Sequence, residues 1–274
     1  MIEQLAELLV YDSVTQIDDR ASGRVVVAAS HGGKFSVQLA LGIGVGALIV
    51  CDAGVGLENA GIAGLLYAEE YGTPCAAVDF QSARIGDGAD CVLRGRIAFA
   101  NMPARELGIH SGMWVKDAAR MLQMGCVCPV STGHEIGQEA RFVLESEGSR
   151  RLVLIDSASL VEPGDVGAIV ITGSHGGLLG GRHETAIKQQ VFAALYNDAG
   201  IGRDSAGISR LPALDARGIA GATVFASSAR IGDARSTLES GVISRVNHVA
   251  YGYGAREGFT ARQWRDVMIH ASNR

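Results

Sequence analysis

The sequence predicts an α/β protein with a mainly parallel sheet, built as a tandem duplication of one βα unit, and so a pseudo-twofold arrangement of two similar halves. Three observations predict it. Short apolar runs bounded by glycine, such as VVVAAS (25–30), ALIVC (47–51) and CAAVDF (75–80), alternate with stretches of helical spacing. Runs such as VVVAA show no polar alternation, the pattern of strands buried on both faces. Most tellingly, one set of motifs occurs twice in the same order. VVVAASHGG (25–33) answers to AIVITGSHGG (168–177), CDAGVGLENAGIAGLL (51–66) to NDAGIGRDSAGISRLP (197–212), and QSARIGD (81–87) to SSARIGD (227–233).

The elements follow in order. LLVYDS (8–13) and LVLIDS (152–157) read as the opening strand of each half. VVVAAS then runs into SHGG, and ALIVCDA into a Gly-rich loop and the helical stretch ENAGIAGLLYAEEYG. CAAVDF leads into QSARIGD and a helix whose N-cap is expected at Ser82, and at Ser228 in the second half. RIAFAN (96–101) closes the sheet, and MWVKDAARML (113–122) and ARQWRDVMIH (261–270) read as matching helices. Ser30 and Ser174, and His31 and His175, stand 144 positions apart; Asp52 and Asp198, Arg84 and Arg230, and Asn101 and Asn247 stand 146 apart. The expected division is a first α/β repeat at 1–125, a linker at 126–145 and a second α/β repeat at 146–274. Within the connection, EIGQEARFVLESEG reads as a short helix.

Composition excludes several classes. The 274 residues carry a net charge of −5 with no basic block, which argues against nucleic acid, because phosphate contacts need clustered Lys and Arg. No run approaches the length of a membrane span, and the acids in MIEQLAELLVYDS do not suit a signal peptide. Five cysteines, mostly in apolar runs, read as reduced buried thiols in a cytoplasmic protein.

The chemistry gathers in three loops. Each follows an apolar run, and in a parallel α/β sheet such loops meet at the carboxyl edge, where ligands bind. In SHGG, His31 and His175 can serve as general base, donor or metal ligand, and Ser174 as nucleophile or donor. Gly176 and Gly177 let backbone approach a ligand. In DAG-x-G, Asp52 and Asp198 can act as base, metal ligand or cap; the second half adds Asn197 and Asp204. In SARIGD, Arg84 and Arg230 are expected in the first helical turn, where a cation opposes the macrodipole and calls for an acidic partner. That partner is a substrate anion, an aspartate of the neighbouring loop, or Asp87 and Asp233 three residues on. The structural alternative assigns all three motifs to turns, caps and local ion pairs.

Other signals are weaker. Cys126, Cys128 and His134 hint at zinc, but no fourth ligand is evident and the spacing fits no standard site. GIGVG (42–46) precedes a strand, unlike a nucleotide fingerprint, and no Walker loop or GxSxG elbow occurs. A strand ending in His-Gly followed by one ending in a short polar motif, ASHGG then LIVCDAG and GSHGG then LYNDAG, resembles the caspase-like cysteine peptidases. That resemblance implies a similar sheet topology. It does not extend to the nucleophile: Ala53 and Ala199 stand near the expected cysteine, and Cys51, two residues early, is Asn197 in the second half. The repeat-built cyclic-amide hydrolases (the cyanuric acid hydrolase and barbiturase group) are similar in being made of repeats, but their Ser–Lys pairs do not map onto this chain.

The functional expectation is an enzyme with hydrolase or lyase type acid/base chemistry on a small polar, anionic substrate. His175, Asp198 and Ser174 would be catalytic. Arg230, Gly176, Gly177, Asn197, Asp204, Ser228, His31, Asp52 and Arg84 would bind substrate. No cofactor is expected, a divalent metal on His175, Asp198 and Asp204 being the metal-dependent alternative; non-catalytic binding or regulation through the same loops is the other. The expected partner is a small-molecule substrate, with assembly as a homo-oligomer and no nucleic acid or membrane.

Overall fold

In a computed structural model, which describes residues 8–125, 136–144 and 150–271, the chain forms two compact units with separate sheets. The first unit comprises residues up to Gly54, Asn59–Gly137 and Gly202–Asp204; the second comprises Val55–Glu58, Gln138–Ile201 and the residues from Ser205 on.

The first unit runs β1 (Leu9–Tyr11), β2 (Val25–His31), α1 (Lys34–Ile43), β3 (Ala47–Cys51), α2 (Ala63–Glu70), β4 (Cys75–Val78), α3 (Gly88–Arg94), β5 (Ile97–Ala100), α4 (Met102–Glu106) and α5 (Val115–Gly125). Its sheet has the order β1-β2-β3-β4-β5. The first four strands are parallel and β5 is antiparallel to β4. Residues 25–30 of β2 and all of β3 and β4 are buried, as their unbroken apolar runs require. Alternate residues feed opposite faces. Val26, Ala28, Leu48 and Val50 pack with Val37 and Leu41 of α1 and Leu65 of α2. The other face is covered by α3 and α5, both of which pack on β2.

The second unit runs β6 (Arg141–Leu144), β7 (Leu152–Ile155), β8 (Ile169–His175), β9 (Ala193–Asn197), α6 (Arg210–Asp215), β10 (Ala220–Val224), α7 (Ala234–Ser240), β11 (Ile243–Val246), α8 (His248–Gly252) and α9 (Ala261–His270). The sheet order is β11-β10-β9-β8-β7-β6; β7 to β10 are parallel, and β6 and β11 are antiparallel edges. Leu154, Ile169, Ile171 and Leu195 share one core with Trp264 and Met268 of α9, while Val153, Ile155, Val170 and Tyr196 share the other with Leu214 of α6. Fully burying an aromatic side chain such as Trp264 contributes about 2–3 kcal/mol.

Several expectations are corrected. The stretch read as a helix at EIGQEARFVLESEG holds strand β6, whose Phe142 packs against the second-unit core. Helix α1 has no counterpart among the expected elements; in the second unit the stretch after SHGG holds only a 3-10 turn, His183–Ala186. Ser82 and Ser228 are not N-caps. Helices α3 and α7 start later and are capped by Asp87 and Asp233, whose carboxylates accept from Asp90 N and Ser236 N. Arg84 and Arg230 therefore sit in the preceding loop, outside the first helical turn. Cys126, Cys128, His134 and most of the expected linker lie outside the described residues.

Candidate functional site

The three motif loops leave adjacent parallel strands at one edge of each sheet, because parallel strands point their carboxyl ends the same way. They are also bonded to one another. In the first unit, Gly32 N donates to Cys51 O (2.8 Å), Phe80 N to an Asp52 carboxylate oxygen (3.0 Å) and Gly86 N to Ala29 O (2.8 Å). In the second, Gly176 N donates to Asn197 O (2.8 Å), Ala226 N to Asp198 (2.9 Å) and Gly232 N to Gly173 O (2.7 Å).

The histidines end β2 and β8 just after a register shift: Val27 faces Ile49, but His31 faces Cys51, and likewise Ile171 faces Leu195 and His175 faces Asn197. Two extra residues on the inner strand bend its end and carry the histidine to the rim. His31 Nδ1 accepts from Gly33 N and His175 Nδ1 from Gly177 N, both at 3.1 Å, which leaves the proton on Nε2. Burial pulls the His31 pKa down to about 4, so its imidazole is neutral at physiological pH. The glycines of SHGG serve close packing. A Cβ on Gly32 would lie 2.8 Å from Val50 and 2.9 Å from Gly61 O, and one on Gly33 would lie 2.6 Å from the His31 ring. A Cβ on Gly176 would meet Gly207 O at 2.5 Å.

Asp52 and Asp198 are almost fully buried. One oxygen of Asp52 accepts from Gly54 N and Phe80 N, and one of Asp198 from Gly200 N and Ala226 N. Burial outweighs these bonds: it lifts Asp52 to about 6 and raises Asp198, the latter opposed by Gly200, Ser244 and Ala226. The following loops are strained. Residues 53–56 have φ of 51, 71, 62 and 72°, and residues 199–202 have φ of 49, 75, 66 and 67°. Glycine takes this region freely, but Ala53, Val55, Ala199 and Ile201 each cost about 1–3 kcal/mol there.

The remaining expected site residues have structural partners. Ser174 Oγ accepts from Ala158 N (2.9 Å), as Ser30 Oγ does from Val14 N (3.0 Å). Asn197, fully buried, accepts from Ala199 N and donates to Ala229 O. Ser228 Oγ donates to Phe225 O and accepts from Val242 N. Arg84 pairs with Asp87 (2.9 Å) and Asp90 (3.4 Å). Arg230 pairs with Asp233 (3.0 Å) and Glu58 (3.2 Å). The acidic partner demanded by the arginine is thus the aspartate three residues on, supplemented by a second carboxylate, and Arg230 is not ion-paired to Asp198. Asp204 falls in the first unit, where it pairs with Arg94 (2.9 Å), whereas His175 and Asp198 belong to the second. Among the described residues, no three His, Cys, Asp or Glu side chains are grouped to hold a metal ion.

Sequence reasoning missed a polar cluster beside Asp198. Thr223 and Ser244 are fully buried with their hydroxyls 2.9 Å apart, and Ser244 bonds the Asp198 carboxyl. It also missed buried Arg210, whose guanidinium donates to the carbonyls of Gly177, Thr185 and Ala186. At the 146-residue spacing of the motifs, the positions before them hold Ala77, Ala98 and Gly64. A search for residues common to both halves passes over these three, whereas a search for polar residues replacing Ala or Gly would have found them.

The arrangement is a mixed α/β fold, mostly parallel, with a polar loop cluster at the carboxyl strand ends. Comparison with protein-family models, with curated proteins and with solved structures returns no match. Among the described residues, no helix is long and apolar enough to cross a membrane.

Proposed function

We propose that the chain arose by tandem duplication and that its strand-end loops bind a small polar, anionic molecule, on which Asp and His side chains perform hydrolase or lyase type acid/base chemistry. The observation that carries this reading is the strained loop after each Asp. Four consecutive residues with positive φ follow a buried carboxyl of raised pKa, beside a histidine held in one tautomer. Strain of this kind is costly and concentrates at binding and catalytic sites. A buried carboxyl titrating near 6, such as Asp52, is suited to exchange protons at neutral pH. In the second unit, Asp198 would move the proton, His175 would help hold the substrate beside it, and Ser244 would orient the carboxyl. Arg230 is half exposed and can exchange Glu58, itself exposed, for a substrate anion.

A second reading, non-catalytic binding, is favoured by a specific observation. One carboxylate oxygen of each Asp already takes two backbone N–H groups, as in a structural loop anchor. The metal-dependent reading is the least favoured, because Asp204 is drawn to Arg94.

Thermal-shift titration with carboxylates, phosphates and cyclic amides separates these readings. Arg230→Ala removes an exposed ion pair worth about 1 kcal/mol or less, so its own stability should change little. We expect a ligand that raises the Tm of the wild type but not of Arg230→Ala or His175→Gln, and that is consumed by the wild type but not by Asp198→Asn. A ligand recovered intact from the wild type selects the binding reading; equal stabilisation of all variants rejects the site.

A further inference from the structure

We propose that Cys51 and Cys91 form a redox modification site: a dithiol that hydrogen peroxide or a small disulfide closes reversibly into an intramolecular disulfide, stiffening the loop at 52–60. Cys51 ends β3, immediately before Asp52, and Cys91 lies in the middle of α3. Their sulfurs are 3.5 Å apart, both are reduced, and both are buried. A disulfide needs about 2.05 Å, so closure requires a shift of only about 1.5 Å, shared between a strand end and a short helix. The positions corresponding to Cys51 and Cys91 in the second half are Asn197 and Thr237, which places this chemistry in the first unit alone.

The steps balance. One thiol, as thiolate, attacks an oxygen of peroxide; the O–O bond breaks, a sulfenic acid forms and one water leaves. The second sulfur then attacks the sulfenic sulfur, the S–O bond breaks, and hydroxide leaves with the thiol proton as a second water. Two thiols are oxidised by two electrons, and peroxide is reduced to two waters. With a small disulfide as oxidant, the same two displacements release two small thiols. The hydrogen bond with Cys91 first, and burial second, raise the Cys51 thiol well above its ordinary pKa, so reaction waits on local opening. Once the first sulfur is oxidised, the second is already in contact, and capture outruns further oxidation.

The test treats the full chain with hydrogen peroxide or glutathione disulfide, blocks free thiols, and digests without reduction. Trypsin combined with a glutamate-specific protease cuts after Glu58 and separates Cys51 from Cys75. The expected product is a 35–58 peptide joined to the 85–94 peptide, two hydrogens lighter than the pair and released by dithiothreitol. Amide exchange at 52–60 should slow at least about tenfold in the oxidised protein. In Cys91→Ser, and independently in Cys91→Ala, Cys51 should instead be over-oxidised or carry glutathione. Sulfinic acid at either cysteine of the wild type without a cross-link, no oxidation of the pair, or a cross-link that leaves exchange unchanged would overturn the proposal.

Discussion

Replacing Asp52 by Asn tests whether burial governs the loop carboxyl. One Asp52 oxygen accepts from Gly54 N at 3.1 Å and Phe80 N at 3.0 Å, and an amide oxygen can keep both bonds. What the substitution removes is the cost of holding a buried charge. Burial lifts the folded pKa from 3.8 to about 6. At 1.36 kcal/mol per unit, ionised Asp52 therefore destabilises the fold by about 3 kcal/mol once the pH exceeds 6. The sign follows from proton binding: the folded state holds the proton more tightly, so this contribution favours folding at low pH and is lost as pH rises from 3.8 through 6. Urea unfolding of both proteins at pH 4.5 and pH 8 isolates the effect. The stability of Asp52→Asn relative to wild type should rise by about 2 kcal/mol between the two pH values. A difference that does not change with pH, or one that falls as pH rises, would show that the carboxylate is stabilised in place and that its bonds outweigh its burial.

Three further outcomes follow from individual side chains. Asn247→Ala should cost about 3 kcal/mol or more in chemical denaturation, because buried Asn247 accepts from Gly221 N and Ala250 N and donates to Ile219 O; a loss below 1 kcal/mol would mean water replaces those bonds. Val55→Gly should stabilise by about 0.5–1 kcal/mol, since glycine takes φ of 62° without strain, and a destabilisation comparable to an ordinary Val→Gly change would count against strain at this loop. His31, with its pKa lowered from 6.5 to about 4, should remain a neutral Nε2–H tautomer at pH 5.5 in nitrogen-detected NMR. Its contribution to stability is complete above 6.5 and fades as pH falls toward 4, so a charged His31 at pH 5.5 would contradict its burial.

Local residue choice alone carries much of this molecule. Unbroken runs such as VVVAA and ALIVC announce doubly buried strands, because only a strand covered on both faces tolerates apolar residues without alternation. Strands followed by helical stretches then imply parallel pairing, and parallel pairing puts SHGG, DAG-x-G and SARIGD at one sheet edge. Other features depend on which groups meet across long separations, and no local pattern encodes that. Strand β6 exists because Phe142 finds an apolar face and Arg141 finds Asp165 at 2.8 Å; its own sequence suits a helix equally well. Helix α3 starts at Gly88 under its Asp87 cap, and Asp12, 76 positions away, accepts from Gly88 N as well, a partner that the spacing around Ser82 cannot foretell. Whether Arg230 holds a ligand or Asp233, and whether Asp52 titrates near 4 or near 6, is a balance of desolvation against pairing. Periodicity is a property of neighbours along the chain and survives in the sequence. The dielectric and the partners around a charge are properties of packing, and only the tertiary structure decides them.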